Sequence, residues 1–517
     1  MKFIQGHNRT QINLFPVSLD QSIDPNNEVR IIDLFVDSLS IKDYGFRTDF
    51  TENGRPAYHP SDLLKLFIYG YLNKVRYSRD LEKECHRNIE VMWLLKCLKP
   101  DHNTIANFRR DNPKAIKKVF RTTVQIARHF DLIGGKLIAG DSTKLRAQNS
   151  KKNNYNQAKI DRQIAYIDNK LEEYTRALAE NDGDNQQIIQ DEIKKQQHRK
   201  DNYRNIEKQL KESGENQISI SDPESRQIMI RNNITEVAYN VQSTVDSKNC
   251  IPIDYKVTNQ NDSKAMGDMV RRAKSILRTN EFTVLYDKGY HTGSELKTAQ
   301  DLGIETIVAI PEVPSTSQAP NHDYNSEHFI YNEEEDTYTC PEGITLRTTG
   351  VWHKEQNSAT NIIIFKQYRT SACKSCKAHS QCTRSKNGRL IHRTTFTEYY
   401  ERNRRNFEEK ERLYKRRQAI VEHPYGTIKR QWGFSYILTK KGISRASSDV
   451  GFMLIAYNLR RIVNILTVDR LKEYLRILAS MFLSKIYLSR LKNSYFLLTL
   501  SQLPVWDRKF TGSLVSA

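Results

Sequence analysis

No stretch of this 517-residue chain reaches the roughly 18 uncharged apolar residues that a membrane-spanning helix needs. The opening residues, Met1 to Pro16, have no apolar core behind their charges, so a secretory signal is not expected. Cysteine is scarce. The seven present are odd in number and clustered, which argues against a disulfide framework and for the reducing cytoplasm. Acidic residues are also in deficit, Asp+Glu 61 against Lys+Arg 81, for a net charge of +20. Such a surplus favours a polyanionic partner, because neutralised phosphates release counterions. Ribosomal and membrane-surface proteins share the bias, so charge alone leaves the partner open. The length suffices for a large buried core and suggests roughly two to four domains.

What is present is organised around Leu137-Ile138-Ala139-Gly140-Asp141, a short apolar run that delivers a carboxylate at its end. Gly140 lets another group come close beside Asp141. Phe282 to Asp287 is a second such unit, with Gly289 two residues after its Asp. A third carboxylate, Glu422, lies far along in a basic, mostly helical segment ending at Lys429. Two strand-end aspartates and a helical glutamate make a hard oxygen site suited to Mg²⁺. On a basic chain, that suggests metal-assisted cutting of nucleic acid. A lone Asp at a strand end is ordinarily a cap or surface residue; Asp246, Asp254 and Asp262 are rivals or helpers of the trio and read as strand and turn residues.

Residues 1–130 read as mainly helical. Helices are expected from Ser61, as a capping residue after Pro60, to Leu72, from Tyr77, through Asn88 to Leu95, and over Asn103 to Arg110. Short helices ending in a basic one can form a DNA reader that uses Arg109 and Arg110; a plain helical bundle with solvated arginines is the simpler alternative. Residues 151–217 are polar, but Ile160, Ile164, Ile167, Leu171, Tyr174 and Leu178 recur at heptad steps, and Asn181 to Asp184 interrupts them. An antiparallel helical hairpin is expected there, serving as a DNA contact, a subunit contact or a solvated spacer.

Over 218–311 the pattern is strand (from Val237), strand (from Ile251), helix (Met266 to Leu277), strand (to Asp287), helix (with Ser294 as cap) and strand (Ile304 to Ile310), an α/β arrangement with parallel and antiparallel pairs. Residues 312–400 hold Cys340, Cys373, Cys376 and Cys382, two of them as C-x2-C. That set has structural zinc-site character, with His379 a substitute ligand, though its spacing is no standard ribbon and unligated thiols remain the plainer reading. Residues 401–465 continue the core with the glutamate helix, which Pro424 should start, end or kink. Residues 466–517 are expected to add further helices.

These residues resemble the bacterial insertion-sequence transposases of the DDE type. The likeness rests on Tyr58-His59-Pro60 through Leu72, on Gly140-Asp141-Ser142-Thr143, on Asp287-Lys288-Gly289-Tyr290, and on Glu422 with Tyr425-Gly426-Thr427-Ile428-Lys429. It implies a retroviral-integrase-like RNase H core of mixed sheet flanked by helices, behind an all-α N-terminal DNA-binding domain. It also implies catalysis by Asp141, Asp287 and Glu422 with Mg²⁺ or Mn²⁺. The family signature Tyr-x2-Arg-x3-Glu-x6-Lys places Tyr414, Arg417 and Lys429 on DNA. Here four residues separate Arg417 from Glu422, so Gln418 takes the arginine position if the glutamate sets the register. The implied partners are DNA, as terminal inverted repeats and target, and a second copy of the chain in a synaptic complex at the bacterial nucleoid, with no membrane. A nuclease that cuts without joining, or a DNA-binding protein without catalysis, would be the alternatives.

Overall fold

The computed structural model describes residues 18–49, 56–180, 186–231, 234–314, 318–358, 361–439 and 441–480. The stretch to Pro16, the break at Asn181 to Asp184, and the helices expected between 481 and 503 lie outside them.

The chain enters through six helices, α1 (Glu28–Asp37), α2 (Pro60–Leu72), α3 (Ser78–Arg87), α4 (Ile89–Leu94), α5 (His102–Asp111) and α6 (Pro113–His129). Helix α2 begins at Pro60, where a missing N–H costs nothing. Its cap is therefore His59, whose ring accepts from the Ser61 amide, rather than Ser61 itself. Asn88 and Asp101 cap α4 and α5 by accepting from the amides two and three residues on.

Next come β1 (Leu137–Arg146), β2 (Asn154–Tyr155), α7 (Gln157–Glu180), α8 (Gln186–Ser213), β3 (Ile218–Ser219), β4 (Arg226–Arg231), β5 (Ile234–Asp246), β6 (Ile251–Thr258), α9 (Met266–Leu277), β7 (Thr283–Tyr286), α10 (Gly293–Asp301) and β8 (Glu305–Val308). The main sheet runs β4-β5-β1-β7-β8, and β6 also pairs with β5. Strand β5 is antiparallel to β1, β4 and β6, whereas β1, β7 and β8 are mutually parallel along the sheet. From Val237 to Asp246 β5 is buried on both faces, so the apolar alternation expected there is blurred. One face joins the N-terminal helices, α9 and a later helix, α15 (Ile443–Ile465), in a continuous apolar core. The other face carries a smaller cluster, in which Leu137, Ala139, Val245 and Leu285 meet Ile420 and Val421.

Helices α7 and α8 form the expected hairpin. Ile160, Ile167 and Leu210 are buried in it, Lys200 pairs with Asp168 at 2.5 Å, and the β2–β3 pair closes its base. Helix α10 starts at Gly293 with Thr292 before it, two residues earlier than a Ser294 cap would give. Its Gly293 lies against Phe396 and donates to the Tyr400 hydroxyl at 2.8 Å, a contact with a later helix that no local signal announces.

The cysteine-bearing region is a second, antiparallel sheet of β9 (Ile330–Asn332), β10 (Thr337–Thr339), β11 (Thr345–Thr348), β12 (His353–Ser358), β13 (Asn361–Arg369) and β14 (Ile391–Thr394), with the short α11 (His379–Cys382) before β14. Helices α12 (Thr397–Glu409), α13 (Glu411–Tyr414), α14 (Arg416–Tyr425) and α15 (Ile443–Ile465) follow, and 468–480 are helical. Among the described residues no helix is long and apolar enough to cross a membrane.

Candidate active site

The parallel ladder sets Leu137 opposite Thr283, Ile138 opposite Val284 and Ala139 opposite Leu285. Continued two residues, that register brings Asp141 level with Asp287 on neighbouring strands, which lie roughly 4.8 Å apart. Each carboxylate accepts the amide of its successor, Ser142 at 2.8 Å and Lys288 at 2.7 Å. The close neighbour of Gly140 is the Tyr286 ring, which occupies the space a Cβ would need. Tyr290, of the same turn as Asp287, donates to Gln242 Oε1 at 2.6 Å and packs 4.6 Å from the Tyr286 ring. Two buried tyrosines thus pin the loop that carries the second aspartate.

Burial raises the pKa of Asp141 above the ordinary carboxylate range. Arg417 and the Ser142 amide oppose the shift, and the charges of Asp287 and Asp262 add to it. Helix α14 covers this edge of the sheet, anchored by Ile420 and Val421. Arg417 Nη1 stands 3.5 Å from Asp141 Oδ2 and is itself buried without a hydrogen-bond partner. Four residues beyond Val421, the Tyr425 hydroxyl donates to Ser243 Oγ at 2.7 Å, and Ser243 is the β5 residue directly opposite Asp141.

Arg417, Val421 and Tyr425 follow helical three- and four-residue steps along the face turned to the sheet. Glu422 falls about 100° round from Val421. Its exposed side chain accepts from Gln418 Nε2 at 2.8 Å. The structure therefore gathers Asp141, Asp287, Arg417 and Tyr414 into one electrostatic cluster and leaves Glu422 at its margin. Among the described residues, the three possible metal ligands whose donor atoms lie within 4.8 Å of one another are His322, Glu327 and His328, all exposed, so the acidic trio is more widely spaced than that.

Pro424 neither starts nor ends the helix. It sits inside α14, and the chain widens directly afterwards into a π-helical turn, Gly426–Gln431. Proline lacks the N–H that would close the α-helical ladder, and a wider turn relieves the mismatch. Lys429, within that turn, donates to Thr143 Oγ1 at 3.0 Å, two residues along β1 from Asp141.

Asp262, weighed from sequence as a rival or helper of the trio and read as a turn residue, is a neighbour of the site. It accepts from Lys144 at 2.9 Å, Asn240 at 2.8 Å and Gln242 at 2.7 Å. Burial would raise its pKa, but Lys144 and these hydrogen bonds bring it below the usual value. The polar alternation Ser142, Lys144 after Asp141 is the one trace of this pairing in the sequence. Asp246 accepts the amides of Gly134, Gly135 and Lys248, and Asp254 pairs with Lys117 and Arg272, so both serve the scaffold.

Arg109 departs from the expectation of a DNA-facing residue. It is buried, donates to Tyr71 and to the Arg76 carbonyl, and lies 3.8 Å from Asp449, because α5 turns that side chain into the core shared with α15. Arg110 is exposed and paired with Asp111 at 2.6 Å. On the sheet face away from α14, α6 and α9 flank a basic cleft of about 580 Å³ that includes Arg121, Arg128, Arg272 and Arg278. Cys340, Cys373, Cys376 and Cys382 converge on a small cavity in the second sheet, with His379 beside them.

Comparison with known families gives two matches. Residues 17–111 match a Transposase domain (DUF772), and residues 339–463 match a Transposase DDE domain. No curated protein matches the chain. Among solved structures, a piggyBac transposase synaptic complex with hairpin DNA aligns over 95% of this chain and 82% of its own, at 11% identity and a TM-score of 0.27. That score is too low to bear on the fold.

Proposed function

We propose that this chain, which belongs to the insertion-sequence DDE transposases, binds the ends of its element and cuts and rejoins DNA at the site formed by Asp141, Asp287 and helix α14. The observation that carries the reading is the parallel register that sets the two aspartates level. The strand order supports an RNase H-like core: three antiparallel strands, β6, β5 and β1, continued by parallel β7 and β8. In this reading residues 1–130 serve DNA binding, 131–150, 218–311 and 401–465 form the catalytic core, and 151–217 is a candidate contact between two copies.

The donor set fits a hard divalent cation, Mg²⁺ or Mn²⁺. Asp141 is half-buried with a raised pKa, which marks a carboxylate with less positive charge around it than it can accept. Asp141 and Asp287 would hold the ion and Glu422 would complete the set. When bound, such an ion supplies Lewis-acid charge at a phosphodiester and a more acidic water or 3′-hydroxyl. Arg417 Nη1, paired with Asp141 Oδ2 at 3.5 Å but without a hydrogen bond, is placed to take a phosphate oxygen beside Asp141, and Lys429 supplies a point charge further along β1. Tyr414 walls the site from α13, and the surplus of basic residues supplies affinity independent of sequence.

The test is a strand-transfer assay with a labelled donor carrying a terminal-repeat end and a free 3′-hydroxyl. The wild-type chain should cut and join, and Asp141→Asn should bind DNA without cutting. Cleavage unchanged in that variant rejects the assignment. Cutting without joining would instead identify a nuclease, and binding alone a non-catalytic descendant.

A further inference from the structure

The second sheet is large for its core. Six strands share a buried cluster of only Phe329, Tyr338, Leu346, Tyr368 and Ile391. So small a core rarely holds a module unaided, and natural modules of this kind add a disulfide or a structural metal. The connection from β13 to β14 sharpens the need. Residues 370–390 contain only a short 3-10 turn and the four-residue α11, with few hydrogen bonds to the sheet they cross. Connections that long in a compact fold are uncommon without some tie of their own.

The four thiols meet where such a tie would act. Cys340 begins the β10–β11 turn, which closes through Gly343 N to Cys340 O at 2.8 Å. Its sulfur accepts the Ile344 amide at 3.3 Å. Cys373 and Cys376 flank a tight turn of the long connection, and Cys382 ends α11. The chain returns past Cys373 at Gly388, where a Cβ would lie 2.6 Å from the Cys373 Cβ, so a glycine is what lets the two segments close together. All four sulfur-bearing residues line one cavity of about 20 Å³, space for a single ion or water.

We infer that Cys340, Cys373, Cys376 and Cys382 bind one Zn²⁺ as a closed structural site that staples the 370–390 connection to the β10–β11 turn. Four soft thiolates select a tetrahedral ion of this type over the hard cation of the acidic site. Zinc–sulfur bonds of about 2.3 Å bring the sulfurs to roughly 3.8 Å from one another. Here no three of them lie within 4.8 Å, so loading contracts the ring around the cavity. All four sit in turns or at element ends, where such a movement strains no strand ladder. The staple has a reach beyond its own sheet. Strand β14 leads into α12, whose Glu401 pairs with Arg393 at 2.9 Å and whose Asn403 hydrogen-bonds both ways with Val308. A fixed insert thus helps seat α12, which leads through α13 to Arg417 at the start of α14.

The experiment uses the full chain purified under reducing conditions. Elemental analysis should find about one zinc per chain, and replacement by Co²⁺ should give the thiolate charge-transfer and d–d absorption of a tetrahedral sulfur site. Cys376→Ser and Cys382→Ser should hold zinc at least about tenfold more weakly, whereas Cys97→Ser should not. Should the variants misfold, alkylation of the wild-type chain decides: these four thiols should be protected until a chelator is added. Zinc well below one per chain, iron in its place, or four thiols that react equally with and without chelator would overturn the assignment. Asp141→Asn should keep its zinc, so failure here and failure of the catalytic reading are separable.

Discussion

At the scale of single residues the site depends on close approach and charge. Gly140 is the tightest point, because its Cα faces the Tyr286 ring with no room for a methyl group. Gly140→Ala should cost about 2 kcal/mol in urea unfolding and displace Asp141 enough to depress cleavage. An unchanged unfolding midpoint would show that Tyr286 can swing aside. Arg417 opposes the rise in the pKa of Asp141, so Arg417→Gln should push that pKa higher and shift the acidic limb of the cleavage pH profile upward. The sign also applies to stability. With its pKa raised by folding, Asp141 binds more protons folded than unfolded, and its contribution falls as pH rises through the raised value. A limb that stays put in Arg417→Gln would mean that another group sets it.

Both aspartates and the glycine were legible in the sequence, since an apolar run ending in Asp is a local pattern. The role of Arg109 was not. A basic residue in a short helix looks the same whether it faces DNA or a buried carboxylate, and Asp449, 340 residues later in the chain, decides the matter.

At the scale of elements, Pro424 and the π-helical turn direct Lys429 to Thr143. Pro424→Ala restores an N–H toward the Ile420 carbonyl, so the turn should tighten and Lys429 should rotate off β1. Joining should fall about tenfold or more with unfolding free energy unchanged or higher, and joining at the wild-type rate would detach Lys429 from the reaction. The hinge between α15 and the N-terminal helices is the buried Asp449, which accepts from Tyr71, Arg76 and the Leu438 amide. Burial acts to raise its pKa, but Arg76 and Arg109 outweigh that and hold it low. Its stabilisation is therefore present above the ordinary carboxylate range and lost as pH falls through it. Asp449→Asn strands two arginines and should cost about 3 to 5 kcal/mol at neutral pH, with the gap from wild type narrowing toward about pH 3. A gap independent of pH would exclude Asp449 as the titrating group. Helix and strand positions in this region followed sequence periodicity, but the start of α10 did not, because Phe396 and Tyr400 come from a distant helix.

At the scale of the whole molecule the net charge of +20 would govern the proposed encounter with DNA. If six to ten phosphates are contacted, affinity for a nonspecific duplex should fall about 10³- to 10⁵-fold between roughly 50 and 200 mM salt. A shallow dependence in a fluorescence titration would point to a contact that is not carried by charge.

Composition, charge and local pattern by themselves determined the basic character, the order of the elements around the first sheet, the hairpin insert and the two aspartates that close apolar runs, because each is written in neighbouring residues. Strand β1 nevertheless runs on to Arg146, so Asp141 lies within the strand rather than at its end, and the second sheet had no such local pattern. Tertiary structure alone decided that Asp141 and Asp287 stand side by side, that Arg417 rather than Glu422 faces Asp141, and that four cysteines ring one cavity. Those outcomes follow from strand register, helix rotation and loop return, which bring together residues up to hundreds of positions apart and leave no mark on either partner's local sequence.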